Sequence, residues 1–123
     1  MDDQKINVTP EVIKGLSALR AESKFHAEDM YPGSPSEDIR ISGERAINAM
    51  LDRLQSGLKG SPRKSFVLSE FMTMLKNFEN EDTEEREQAC GYCERVMDLL
   101  GIEGSDGLLN KWLYDIDPDS GSS

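Results

Sequence analysis

The sequence is poor in the residues that most often carry chemistry. It has 2 cysteines, 1 histidine and 1 tryptophan, and aromatic residues make up only 7% of the chain. Two cysteines three positions apart cannot staple a small secreted domain, which excludes a disulfide framework and agrees with a reducing compartment. No apolar run approaches the roughly 20 residues of a membrane span. The opening Met1-Asp2-Asp3-Gln4-Lys5 has no basic region followed by an apolar one, so a cytoplasmic protein without membrane association is expected. There is no glycine-rich phosphate loop, no HExxH pair and no EF-hand. Asp115, Asp117 and Asp119 alternate as calcium ligands do but lack the glycine and the closing glutamate. No catalytic residue, no metal site and no cofactor are expected.

What the chain does have is acid, distributed unevenly. Its 123 residues fit one domain and carry a net charge of −10. Residues 1–78 hold 11 acidic and 11 basic side chains, whereas residues 79–123 hold 13 acidic and 3 basic. The densest run is Glu79, Glu81, Asp82, Glu84, Glu85 and Glu87, opposed only by Arg86. Such a field repels nucleic acid and attracts basic partners, so direct binding to DNA or RNA is not expected. The plainer reading is a solvated face that keeps the protein soluble.

Aliphatic usage leans helical: Leu, Met and Ala total 24, and the β-branched Val and Ile total 11. Thr9-Pro10-Glu11 reads as a cap, a first-turn proline and an early acid, followed by Val12, Ile13, Leu16 and Leu19 on one face. This predicts a helix over about 10–22. Ser34-Pro35-Ser36-Glu37 reads as a capping box that opens a second helix over about 35–56, with Ile39, Gly43, Ile47, Met50, Leu51 and Leu54 at helical spacing. A third opens at Ser61-Pro62 or Ser65 and bears a wide stripe of Phe66, Val67, Leu68, Phe71, Met72, Leu75 and Phe78. Asp82-Thr83-Glu84-Glu85 offers another capping box, with Ala89, Cys93, Val96, Met97 and Leu100 behind it and a glycine stop at Gly101-Ile102. Ser105-Asp106-Gly107 caps a short last helix carrying Leu108, Leu109, Trp112 and Leu113. The expected fold is all-α, a compact bundle of about five amphipathic helices forming a single domain over 1–114, with an acidic flexible tail over 115–123. Only Lys5-Ile6-Asn7-Val8 suggests a strand, and the loop Ser23 to Gly33 is expected to fold Phe25, His26, Met30 and Tyr31 back over one end of the bundle.

Four features invite a chemical reading. Cys90-Gly91-Tyr92-Cys93 has the CxxC spacing of thiol redox sites and of half a zinc site. It lies about two turns inside a predicted helix behind several carboxylates, which disfavour a thiolate, and four zinc ligands are not at hand. A packed helix face is the simpler reading. His26, near Glu28 and Asp29, has the makings of a base oriented by a carboxylate, but Ser34 and Ser36 are better explained as caps than as nucleophiles. Lys59-Gly60-Ser61-Pro62-Arg63-Lys64 is the one basic cluster and reads as a solvated loop. Trp112 and Tyr114 read as a core anchor because leucines flank them.

The run Ser105-Asp106-Gly107-Leu108-Leu109-Asn110-Lys111-Trp112-Leu113-Tyr114, with Met97-Asp98-Leu99-Leu100-Gly101-Ile102 before it, resembles the ending of a family of small uncharacterised bacterial proteins. The resemblance spans most of the chain. It implies a bacterial single-domain protein and assigns no activity, cofactor or functional residue.

The function expected from charge is a non-catalytic acidic module that docks on a basic protein, as an immunity protein, an antitoxin or a nucleic-acid mimic does. Its contact residues would be Glu81, Asp82, Glu84, Glu85 and Glu87. The alternatives are a structural homodimer or larger homo-oligomer that covers the surplus of the 66–78 stripe, and a small thiol-redox or metal protein using Cys90 and Cys93.

Overall fold

A computed structural model describes residues 3–28, 31–60 and 62–116. Five α-helices follow one another: α1 (Pro10–Ala21), α2 (Glu37–Gly57), α3 (Lys64–Leu75), α4 (Thr83–Leu100) and α5 (Leu108–Ile116), with a 3-10 turn, Lys76–Phe78, continuing α3. The chain is an all-α bundle, and among the described residues no strand forms. The stretch Lys5-Ile6-Asn7-Val8 makes one antiparallel bridge, Lys5 to Arg63, closed by the Lys64 N–H on the Gln4 carbonyl at 2.8 Å. Among the described residues no helix is long and apolar enough to cross a membrane.

Local chemistry sets the helix ends. The Thr9 hydroxyl accepts the Val12 N–H at 3.2 Å, with Pro10 at the first helical position, where its missing donor costs nothing. At the other end of α1 the Lys24 ammonium donates to the Arg20 and Glu22 carbonyls at 3.3 and 2.7 Å. These are carbonyls a helix end leaves without partners. α2 starts two residues later than the sequence suggests. Its cap is Ser36, which accepts from the Ile39 N–H at 3.2 Å. Ser34 is instead committed to the preceding loop, its N–H on the Phe25 carbonyl and its hydroxyl against Tyr31. Ser61 lies outside the described residues, and Ser65 is not the cap of α3. That position is Arg63, without a side-chain bond, and Asp3 substitutes by accepting the Ser65 N–H at 2.9 Å. α4 ends at Gly101, whose φ of +72° is the left-handed stop that glycine adopts without strain.

α2 is the spine of the bundle, packing on α1, α3 and α4, while α4 carries α5 on its other side. One contiguous core runs from Ile6 to Trp112. Leu16, Ile47, Met50, Leu51, Leu54, Val67, Phe71, Met74, Leu75 and Val96 are wholly enclosed. Each fully buried aliphatic or aromatic side chain of this kind contributes about 1.5–3 kcal/mol. Three expected core positions are exposed: Ile13 at 39%, Met72 at 36% and Tyr114 at 53%. Each sits one helical step off its buried stripe, where the bundle has no neighbour to offer. Of the expected 66–78 stripe, Val67, Phe71, Leu75 and Phe78 are buried, Phe66 and Leu68 are partly buried against the core, and Met72 is exposed.

The loop after α1 closes one end of the bundle. Phe25 takes a φ of +65°, a costly conformation for a bulky residue. It is held there because its ring, 2% exposed, stacks on Phe78 at 5.6 Å and leans on Tyr92 at 5.3 Å. Gly43 makes this possible, since a Cβ there would stand 2.9 Å from the Phe25 ring. Phe25 and Tyr31 fold back as expected, but as members of the main core and not as a satellite cluster over its end. His26 is exposed, and Met30 lies outside the described residues. α5 continues to Ile116, two residues into the expected tail, and residues 117–123 lie outside the described residues.

Candidate functional site

The acidic run folds into the turn before α4 and its first two turns. Carboxylates are favoured there because the exposed N–H groups at a helix start carry partial positive charge. Asp82, Glu84 and Glu87 are exposed and Glu81 is half-buried. Glu85 departs from this group. It is 3% exposed and accepts the Tyr31 hydroxyl on Oε2 at 2.7 Å. A helix turns about 100° per residue, so Glu85 lies on the inward face and cannot share the outward face of Glu84. It therefore also fails to close the expected capping box, and Asp82 caps α4 without a side-chain bond. Burial, with the Glu85 carboxylate alongside, raises the Tyr31 hydroxyl above its ordinary value and keeps it protonated.

Among the described residues, the ion pairs that form do not involve the outward carboxylates. Arg20 pairs with Asp52 at 3.0 Å, Arg40 with Glu37 and Glu44 at 2.8 and 3.3 Å, and Arg53 with Glu70 at 2.6 Å. Lys64 pairs with Asp106 at 2.9 Å and Arg95 with Glu22 at 2.7 Å. Arg86, from within the run, is buried and donates to the Thr83 hydroxyl at 2.8 Å. Asp82, Glu84 and Glu87 are thus exposed and take part in none of the ion pairs found among the described residues.

The sulfurs of Cys90 and Cys93 lie in the core face of α4, both free. Burial pushes Cys90 up to about 11, with the Glu94 and Glu87 charges adding to it. Cys93, wholly enclosed, is raised well above its ordinary value by burial. Neither is the accessible low-pKa thiolate that exchange chemistry uses. Among the described residues no three His, Cys, Asp or Glu side chains gather as a metal site. His26 shares a hydrogen with the Ser23 hydroxyl rather than with Glu28, and Asp29 lies outside the described residues. In the basic cluster, Lys64 is tied to Asp106 and Arg63 donates to the Asp3 carbonyl at 3.0 Å. Trp112 is a core anchor, and Tyr114 beside it is exposed.

A family model for a domain of unknown function, DUF4844, matches residues 7–117. The chain belongs to this family. No curated protein matches the chain. A crystal structure of a DUF3571 family protein from Acinetobacter baumannii shares the fold, at 26% identity and a TM-score of 0.79, covering 91% of this chain and 95% of that one. The expected kinship with uncharacterised domain proteins thus holds at the level of the family.

Two features of the site escaped the sequence reading: the Tyr31–Glu85 bond and the enclosed Lys24. The signal for the first was present. Glu85 precedes Ala89 by four residues and Cys93 by eight, the spacing of one helical face. No comparable pattern marks Lys24, whose burial depends on how the loop folds back on the end of α1.

Proposed function

We propose that the protein is a non-catalytic acidic docking module that binds a basic protein surface through the outward face at the start of α4, with Asp82, Glu84 and Glu87 as its principal contacts and Glu81 beside them. The observation that carries this reading is the group of exposed carboxylates Asp82, Glu84 and Glu87, which take part in none of the ion pairs found among the described residues. Complementary charge of this kind speeds encounter and selects a partner, while affinity comes from what is buried once contact is made. An immunity protein, an antitoxin or a nucleic-acid mimic works in this way. A bacterial cytoplasmic setting accords with the reading, supported by the Acinetobacter baumannii neighbour and by the two free cysteines.

The test compares the protein with the triple variant Asp82→Lys, Glu84→Lys, Glu87→Lys as bait in nuclease-treated native lysate at low and high salt. The expected result is a basic protein held by the parent at low salt, released at high salt, and lost from a variant that melts as the parent does. Equal capture by both baits overturns the reading.

A further inference from the structure

The extended stretch before α1 and the loop between α2 and α3 run together and then part. Ile6 donates its N–H to the Pro62 carbonyl at 3.0 Å, and Pro62 has no N–H with which to answer. In the register set by the Lys5 to Arg63 bridge, the next rung would join Val8 to Gly60. That rung does not form, and between the separating segments lies a pocket of about 450 Å³. Ile6 and Leu58, 6% and 4% exposed, give it an apolar base with the buried Pro62, and Val8 adds a half-buried wall. Lys5 and Lys59, both exposed, complete it together with Gly60.

We propose that this pocket binds a small amphiphilic anion, a carboxylate or phosphate head on an apolar body, with the head held by Lys5 and Lys59 and the body laid against Ile6, Leu58 and Pro62. Charge points to the head. The chain as a whole carries −10, yet among the described residues no acidic side chain lines the pocket, and neither lysine takes part in an ion pair. The rest of the basic cluster is engaged, Lys64 with Asp106 and Arg63 with the Asp3 carbonyl, which leaves Lys59 as its open cation. A cation has no counter-charge to meet in this pocket, and a neutral ligand leaves both lysines unanswered. An ammonium on a flexible stem is a point charge that serves either head, without the planar match an arginine fork demands. The base points to the body. Its buried apolar side chains offer an alkyl or aryl group a surface away from water, and the lysine stems extend that surface while their heads stay wet. The volume falls within the roughly 300–1,000 Å³ of small-molecule sites, which combine an apolar lining with a few polar groups in this way. The pocket stands apart from the docking surface and does not depend on it. Gly43, which shares a lining with Glu81 and Glu85, precedes Leu58 by 15 residues, roughly 20 Å along the helix.

The test is an amide-resolved NMR titration of the full chain with octanoate and with octyl phosphate, using octylamine as the probe with the wrong charge and acetate as the head without a body. The expected result is saturable shifts at Lys5, Ile6, Val8, Leu58, Lys59 and Gly60 with at least one of the two amphiphilic anions, in the millimolar range or tighter. Octanoate alone names the head as carboxylate, octyl phosphate alone names it as phosphate, and both together show a site that reads charge and apolar body only. The double variant Lys5→Gln, Lys59→Gln should weaken binding roughly tenfold or more. Its melting midpoint should stay close to that of the parent, because both side chains are exposed and unpaired. Shifts that do not saturate, that centre on other residues, that octylamine reproduces, or that are equal in the double variant overturn the proposal. Acetate binding as tightly as octanoate overturns it too, since the apolar base then plays no part.

Discussion

We expect Glu85→Lys to unfold the domain under conditions where Glu84→Lys and Glu87→Lys leave it folded. The three carboxylates are near neighbours in sequence but face different surroundings. Glu85 is 3% exposed and accepts the Tyr31 hydroxyl at 2.7 Å; Glu84 and Glu87 are exposed. Removing a hydrogen bond to a charged group costs about 1.5–3 kcal/mol. Enclosing an unpaired ammonium in its place costs several kcal/mol more. The sum, at least about 4 kcal/mol, is a large part of the roughly 5–15 kcal/mol that holds a domain of this size together. At roughly 4 °C per kcal/mol this lowers the melting midpoint by about 15 °C or more. The exposed reversals cost within about 1 kcal/mol each, part of it from opposing the helix-end charge that Glu84 now complements. Thermal melting followed by far-UV circular dichroism separates the cases. A Glu85→Lys protein that melts with the parent refutes the inward placement of this residue, and a Glu84→Lys protein that unfolds refutes the outward face on which the docking reading depends.

Three further outcomes follow from the same structure. The protein should lose stability as pH rises above about 9. Cys90, Cys93, Tyr31 and Tyr92 all have folded values raised by burial above the unfolded 9.0 and 10.0, so the folded state holds more protons in that range. Their contribution is complete below the unfolded values and is lost on the way up; melting midpoints measured between pH 8 and 11 check this, and Cys93→Ala should flatten the slope even as it lowers the curve. Both thiols should resist iodoacetamide at pH 8 in the native protein and react fully once the chain is unfolded, and rapid native labelling of either would revive the redox reading. Gly43→Ala should destabilise by about 1–3 kcal/mol, because the new Cβ would stand 2.9 Å from the Phe25 ring; an unchanged melting midpoint would show that the ring is free to shift.

What could be read in the sequence followed from short-range rules, and what could not depended on distant partners. Thr9 before Pro10, the apolar spacing of Leu16 and Leu19, and Gly101 before Ile102 each act within one or two helical turns, and the structure places them as expected. The cap of α3 is different in kind. Ser65 looked sufficient locally, yet its N–H is taken by Asp3, 62 residues away in the chain, and nothing in the stretch 61–66 announces that. Lys24 is a similar case. A lysine in a polar loop reads as solvated, and only the return of the chain over the end of α1 lets its ammonium serve two helix-end carbonyls. Glu85 is the instructive error because local information sufficed and was outweighed. Composition placed it among six acids and suggested a single charged surface, whereas its spacing to Ala89 and Cys93 placed it on the core face. Periodicity reports which way a side chain points, and composition does not. An ionisable residue that falls on the apolar stripe of its own helix must therefore find a partner inside, which here is Tyr31 from the loop that also brings Phe25 into the core.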